Sequence, residues 1–143
     1  SEAWIKLLFI SSLEKSITKT KLIFRKENEY KTVILQSPGQ PQSKKILEEY
    51  IHIFKNYSDK CLPLPPESTY KYVEAKMQLK NEKKAFSDRW NGNKTFSKGE
   101  RDSSVIQMCF GNKKEADFFF LNDVFDDLSL RLYGPLYKAL NNK

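Results

Sequence analysis

Few residues in this chain are of a type and spacing that could do chemistry. It holds one histidine, His52, and two cysteines, Cys61 and Cys109, set far apart. A structural zinc site takes four such ligands, typically in close-spaced pairs, and three scattered residues do not supply them. Nucleophilic catalysis requires an activated Ser, Cys or Thr with a base at hand. With a lone histidine and no Gly-x-Ser-x-Gly elbow, that arrangement is not written here. A phosphate cradle needs a glycine-rich loop before a helix, and Ser37-Pro38-Gly39-Gln40 offers one glycine and no Gly-Lys-Ser/Thr. Acids stand side by side at Glu48-Glu49 and Asp126-Asp127, but neighbours on a helix point in different directions, so both pairs read as solvated faces. His52 reads as a structural histidine. The expectation is therefore no catalytic residue, no metal and no cofactor. The cysteines read as reduced thiols, with a single disulfide as the alternative.

The elements that would position any site follow from the patterning. Trp4–Ile10 is a dense apolar run, either a short helix or a buried strand. Thr18–Phe24 and Tyr30–Leu35 are rich in β-branched and aromatic residues, and the polar tetrad Lys26–Glu29 between them, with Asn28 as turn residue, predicts a β-hairpin. After Ser37–Pro41, a helix is expected from about Pro41 to Tyr57. Leu47, Tyr50, Phe54, Tyr57, Ile46, Ile51 and Ile53 would form its apolar side, opposite Lys44, Lys45, Glu48, Glu49 and Lys55. Cys61–Pro66 contains three prolines, which remove donors and force extended backbone, so it reads as a strap. A long lysine-rich helix is expected from about Glu67 to Trp90, a loop over Trp90–Glu100, and a segment of undecided type at Ser103–Phe110. A closing helix is expected from about Glu115 to Tyr133, stopped or kinked by Gly134-Pro135.

The hairpin followed by a helix raises one specific chemistry. Metal-dependent nucleases place an acid on one strand and an acid-x-Lys on the next; the carboxylates hold Mg²⁺, which polarises the phosphate and activates water. The segment TKTKLIFRKENEYKTVILQS resembles the hairpin of RecB-type nucleases, roughly Ile-Asp-x-x-Phe-Arg, turn, Tyr-x-x-x-Asp-Tyr-Lys. Alignment on Phe24-Arg25 puts Lys21 at the first acid, Ile34 at the second and Gln36 at the lysine. A lysine does not ligate Mg²⁺, an isoleucine offers no oxygen, and a glutamine carries no charge. The resemblance implies a nuclease-like outline with a dead site.

The charge is uneven. The net charge is +7, with 21 lysines but only four arginines. Residues 1–100 carry 19 basic and 12 acidic side chains, and residues 101–143 carry six of each. That balance suggests a polyanion or an acidic partner, or else a solvated lysine-rich surface. No run approaches the ~20 apolar residues of a membrane span, and no signal peptide is evident, so a cytoplasmic compartment and no membrane partner are expected. The opening Ser1-Glu2-Ala3, lacking an initiator methionine, reads as the start of an excised C-terminal piece of a longer chain. One domain over residues 1–143 is expected, of class α+β: a small sheet with a β-hairpin packed by several helices, resembling a degenerate PD-(D/E)xK nuclease fold.

From Cys61 onward, the order of motifs is CLPLPPESTYKYVEA, AFSDRWNG, GERD with an apolar run, and a phenylalanine-rich helix ending in LYGPLY. Together with the preceding Ile46-Leu47-Glu48-Glu49-Tyr50, this order resembles the C-terminal domain of the exodeoxyribonuclease V gamma chain (RecC). The resemblance implies a non-catalytic domain of a helicase-nuclease acting in double-strand break repair and recombination. Its implied role is to hold the RecD-type alpha and RecB-type beta chains and to guide DNA. In this reading Leu62, Leu64, Tyr70 and Trp90 are interface candidates, the strap being pre-ordered for docking. Lys76, Lys80, Lys83, Lys84, Lys94 and Lys98 are candidates for non-specific contact with the DNA backbone. Two other readings stay open: a stand-alone nucleic-acid-binding module, and an active Mg²⁺-dependent nuclease using Glu14 with Glu27 or Glu29.

Overall fold

The computed structural model describes residues 2–26, 28–59, 62–93, 97–111 and 115–141. The fold is α+β, mostly helical with an antiparallel hairpin. Contacts gather the chain into two compact units, Ser1–Asn56 with Pro135–Lys143, and Tyr57–Gly134. Among the described residues no helix is long and apolar enough to cross a membrane.

In the first unit the apolar run resolves as a helix, α1 (Glu2–Leu13). Trp4, Leu7, Leu8 and Ser11 fall at i, i+3, i+4 and i+7 and are buried, which is the stripe a helix presents to a core. The hairpin forms as predicted, with β1 (Lys19–Lys26) antiparallel to β2 (Glu29–Gln36) and closed at the pair Lys26↔Glu29. Leu35 is buried in the core, and Leu22 packs against it. Helix α2 (Gln40–Asn56) starts after Gly39, whose φ of 86° suits a residue without Cβ. The Gln40 side chain donates to the carbonyls of Ser12 (3.2 Å) and Leu13 (3.3 Å), which have no partner within α1. The buried side of α2 is Ser43, Ile46 and Ile53, with Leu47 and Tyr50 partly covered. Ile51 and Phe54, expected on the apolar side, are exposed instead. Their neighbours Ile53 and Tyr50 take the inward positions. Trp4 Nε1 donates to the Tyr50 hydroxyl at 3.1 Å.

In the second unit the expected long helix is two: α3 (Pro66–Met77) and α4 (Glu82–Asn91). The break has a local cause. Leu79 is 96% exposed at φ 55°, a left-handed conformation that ends α3, and Asn81 starts α4 by accepting the Lys84 N–H on Oδ1 at 2.9 Å. The expected loop after Trp90 contains a small antiparallel pair, β3 (Gly92–Asn93) with β4 (Ser97–Lys98), then a 3₁₀ turn over Glu100–Asp102. Ser104–Phe110 is a helix, α5.

The expected closing helix is also two, α6 (Asp117–Phe120) and α7 (Phe125–Asn141). Gly134-Pro135 does not stop α7, which runs through to Asn141. Interior proline costs roughly 3 kcal/mol. Ala139 is buried beyond it, and Leu136 and Leu140 pack against the first unit's core, which offsets that cost. The core of the second unit is aromatic. Trp90 meets Phe119 edge-on at 4.9 Å, Tyr72 meets Phe125 at 5.1 Å, and Phe86 touches both Phe119 (5.4 Å) and Phe125 (5.6 Å).

Candidate functional site

Directly opposed residues of an antiparallel pair share a face, and that face alternates along each strand. In the hairpin Lys21 pairs with Ile34 and Lys19 with Gln36. The register therefore brings Lys21, Ile34 and Gln36 together on one face. It is the outer one, because the opposite face carries buried Leu35 and the core-packed Leu22. The three positions aligned with a nuclease's two acids and lysine are adjacent in space, and none of them carries a carboxylate.

The whole outer face consists of Lys19, Lys21, Ile23 and Arg25 on β1 and Tyr30, Thr32, Ile34 and Gln36 on β2. It has three cations and no acid. Tyr30 is 80% exposed, Ile23 64% and Ile34 44%. Among the described residues neither Lys19 nor Lys21 forms an ion pair. Arg25 sits across from Tyr30 and donates to the turn residue Asn28 at 3.4 Å.

The alternative acids lie apart. Glu29 is at the hairpin tip, whereas Glu14 lies before β1 begins and accepts the Ser16 hydroxyl at 3.0 Å. The eight-residue strand between them spans about 25 Å. Glu27 lies outside the described residues. Among those described, no three His, Cys, Asp or Glu side chains gather where they could hold a metal ion. His52 is exposed on α2 beside Asn56, and Cys109 is exposed; Cys61 lies outside the described residues.

The lysines of α3 and α4 have local partners. Lys76 pairs with Asp126 at 2.5 Å and Lys84 with Asp88 at 2.7 Å. Lys80 donates to Gln78 at 2.8 Å, and Lys83 lies over the Phe120 ring, 5.3 Å from its centre. Lys98 is exposed and its carbonyl accepts from Arg89, while Lys94 lies outside the described residues. Of the interface candidates, Leu64 and Trp90 are buried within the second unit. Leu62 and Tyr70 keep part of their surface, Tyr70 resting edge-on against Tyr133 at 6.4 Å.

Two polar clusters were not foreseen. Helix α3 begins after Pro65, which has no side-chain acceptor. The acceptor comes from Glu100, only 5% exposed, whose carboxylate takes the N–H of Glu67 at 2.9 Å and of Ser68 at 2.6 Å. Glu67 in turn pairs with Arg89. Gly99 must be glycine for this, since a Cβ there would stand 2.3 Å from the Trp90 carbonyl oxygen. A helix opening on Pro-Pro with no Ser, Thr, Asp or Asn before it was the available signal that a cap must come from elsewhere.

In the second cluster, Asp126 accepts from Tyr72 Oη at 2.9 Å and from Lys76 Nζ. Burial pushes the Tyr72 phenol well above its usual value, and the Asp126 carboxylate adds to the shift. Burial opposes ionisation of Asp126, but the hydrogen bonds from Lys76 and Tyr72 and the Lys76 charge prevail, and its carboxyl lies below the usual value. Asp127 turns instead to Arg131 at 2.8 Å, so the adjacent acids serve different partners.

Some of the exposed apolar side chains of the first unit also follow a pattern. Ile5, Phe9 and Leu13 recur every four residues along α1, opposite its buried stripe, and all are exposed. The chain matches no protein-family model, and no curated protein or solved structure is significantly similar to it.

Proposed function

We propose that this chain is a non-catalytic assembly and DNA-guiding domain of a helicase-nuclease acting in double-strand break repair and recombination, of the exodeoxyribonuclease V gamma-chain type. The observation that carries the reading is the hairpin register. Lys21, Ile34 and Gln36 share the face where a RecB-type hairpin would assemble its carboxylates and lysine, with none of that chemistry present. The exposed Ile5–Phe9–Leu13 line supports the assembly role, because a contiguous apolar stripe on a helix is the kind of surface a partner subunit covers. The partners in this reading are the alpha (RecD-type) and beta (RecB-type) chains, in the cytoplasm, with DNA held through its phosphates.

The test is capture of purified alpha and beta chains from the same organism by the immobilised chain. The reading predicts a stable complex that Phe9→Asp with Leu13→Asp abolishes while the circular dichroism spectrum is unchanged. Failure of both subunits to bind would refute it. A second reading, a stand-alone nucleic-acid-binding module, is favoured by the net charge of +7. It predicts tight oligonucleotide binding with no capture of either subunit.

A further inference from the structure

We infer that the outer face of the β1–β2 hairpin is a binding platform for single-stranded nucleic acid, with the backbone along β1 and the bases over β2. The inference rests on the DNA-guiding part of the proposed function and moves the contact away from the α3–α4 lysines.

The division of labour between the strands carries it. All the charge of the face is on β1: Lys19, Lys21 and Arg25, with exposed Ile23 between. Alternate residues of a strand are roughly 6.7 Å apart, so this row extends over about 20 Å. An extended single strand likewise presents its phosphates in a line. β2 carries no charge on this face. It offers Tyr30, Thr32, Ile34 and Gln36, each directly across from a β1 residue. Tyr30 is the most exposed aromatic ring of the first unit and stands opposite Arg25. A base stacked on Tyr30 would thus have its phosphate beside the Arg25 guanidinium. Aromatic stacking beside a cationic track is how proteins hold single strands without reading sequence. A duplex keeps its bases stacked inside, so Tyr30 and Ile34 would gain nothing from it.

Charge balance supports the same choice. The α3–α4 lysines have carboxylate, amide or ring partners close by, and a phosphate would have to compete with those. Lys19 and Lys21 face outward with no such competitor among the described residues, whereas Arg25 already has partners, Asn28 among them, with which a phosphate would compete.

Fluorescence anisotropy of the full chain with a labelled oligothymidylate, and with a duplex of equal length, tests this across a salt series. The expected result is preference for the single strand. Lys19→Gln, Lys21→Gln and Arg25→Gln together should weaken binding at least about tenfold and flatten the log–log salt slope by about 2, as loss of three phosphate contacts requires. Tyr30→Ala should weaken single-strand binding roughly fivefold or more, and Tyr30→Trp should restore it. Lys80→Gln with Lys84→Gln should change neither affinity nor slope. Equal affinity for duplex, or a loss confined to the Lys80 and Lys84 variant, overturns the platform and leaves DNA guiding in place. No binding by the unaltered chain overturns both. If the hairpin triple variant binds oligonucleotide normally but no longer captures the helicase subunits, the face is a protein interface and the inference fails.

Discussion

The carboxylate of Glu100 sits at the positive end of α3, where the first N–H groups have no partner inside the helix. It comes from more than thirty residues away in sequence and so pins the Gly99–Asp102 turn to the start of that helix. Glu100→Ala would leave two N–H groups without their charged acceptor and is expected to cost about 2–3 kcal/mol, measured by urea denaturation. Gly99→Ala drives a Cβ into the Trp90 carbonyl and should cost about 1–3 kcal/mol by the same measurement. The Tyr72–Asp126–Lys76 cluster makes a pH prediction. Asp126 has a lowered value, so its contribution to stability is present above about pH 4 and fades as the pH falls through the native value. Tyr72 has a raised value, so its contribution is present below about pH 10 and is lost as the pH rises through the native value. Because burial is the larger cause for Tyr72, Asp126→Asn should bring its phenolate titration, followed by ultraviolet absorbance, only part of the way back.

Among elements, those whose pattern is set locally were legible. The hairpin was readable from β-branched residues on either side of an Asn-containing turn, and the start of α2 from Gly39-Gln40-Pro41. α1 was ambiguous for a physical reason: Ile5, Phe9 and Leu13 make its outer side apolar as well, erasing the contrast that marks an amphipathic helix. The breaks in the two longer expected helices were invisible because they depend on tertiary choices. Leu79 is an ordinary helix former placed at φ 55°, and only Asn81 hinted at a new start. At Gly134-Pro135 the local rule for stopping lost to burial of Ala139 and the packing of Leu136 and Leu140. Leu79→Gly is expected to stabilise the chain by about 1 kcal/mol, since glycine adopts that conformation freely, whereas Asn81→Ala should cost about 1 kcal/mol. Thermal melts of the two variants should shift in opposite directions. Of the candidate site, the three hairpin positions were legible one by one from the alignment with a nuclease hairpin, while the register that puts them on one face came only with the fold. The partner of Lys76 was not legible, since Asp126 reaches it only through the fold, whereas Lys84 and Asp88 are already spaced as an i,i+4 pair in the sequence.

At the scale of the whole molecule, the proposed reading is of a protein whose surfaces bind and whose hairpin does no cutting. In that reading the apolar line on α1 would meet a protein subunit and the basic ribbon on β1 a polyanion. The absence of carboxylates at Lys21, Ile34 and Gln36 separates this account from an active nuclease. The direct measurement is digestion of linear duplex and single-stranded DNA by the purified chain with Mg²⁺ or Mn²⁺. No cleavage above a chelator control is expected. Metal-dependent degradation that Glu14→Gln or Glu29→Gln abolishes would contradict it.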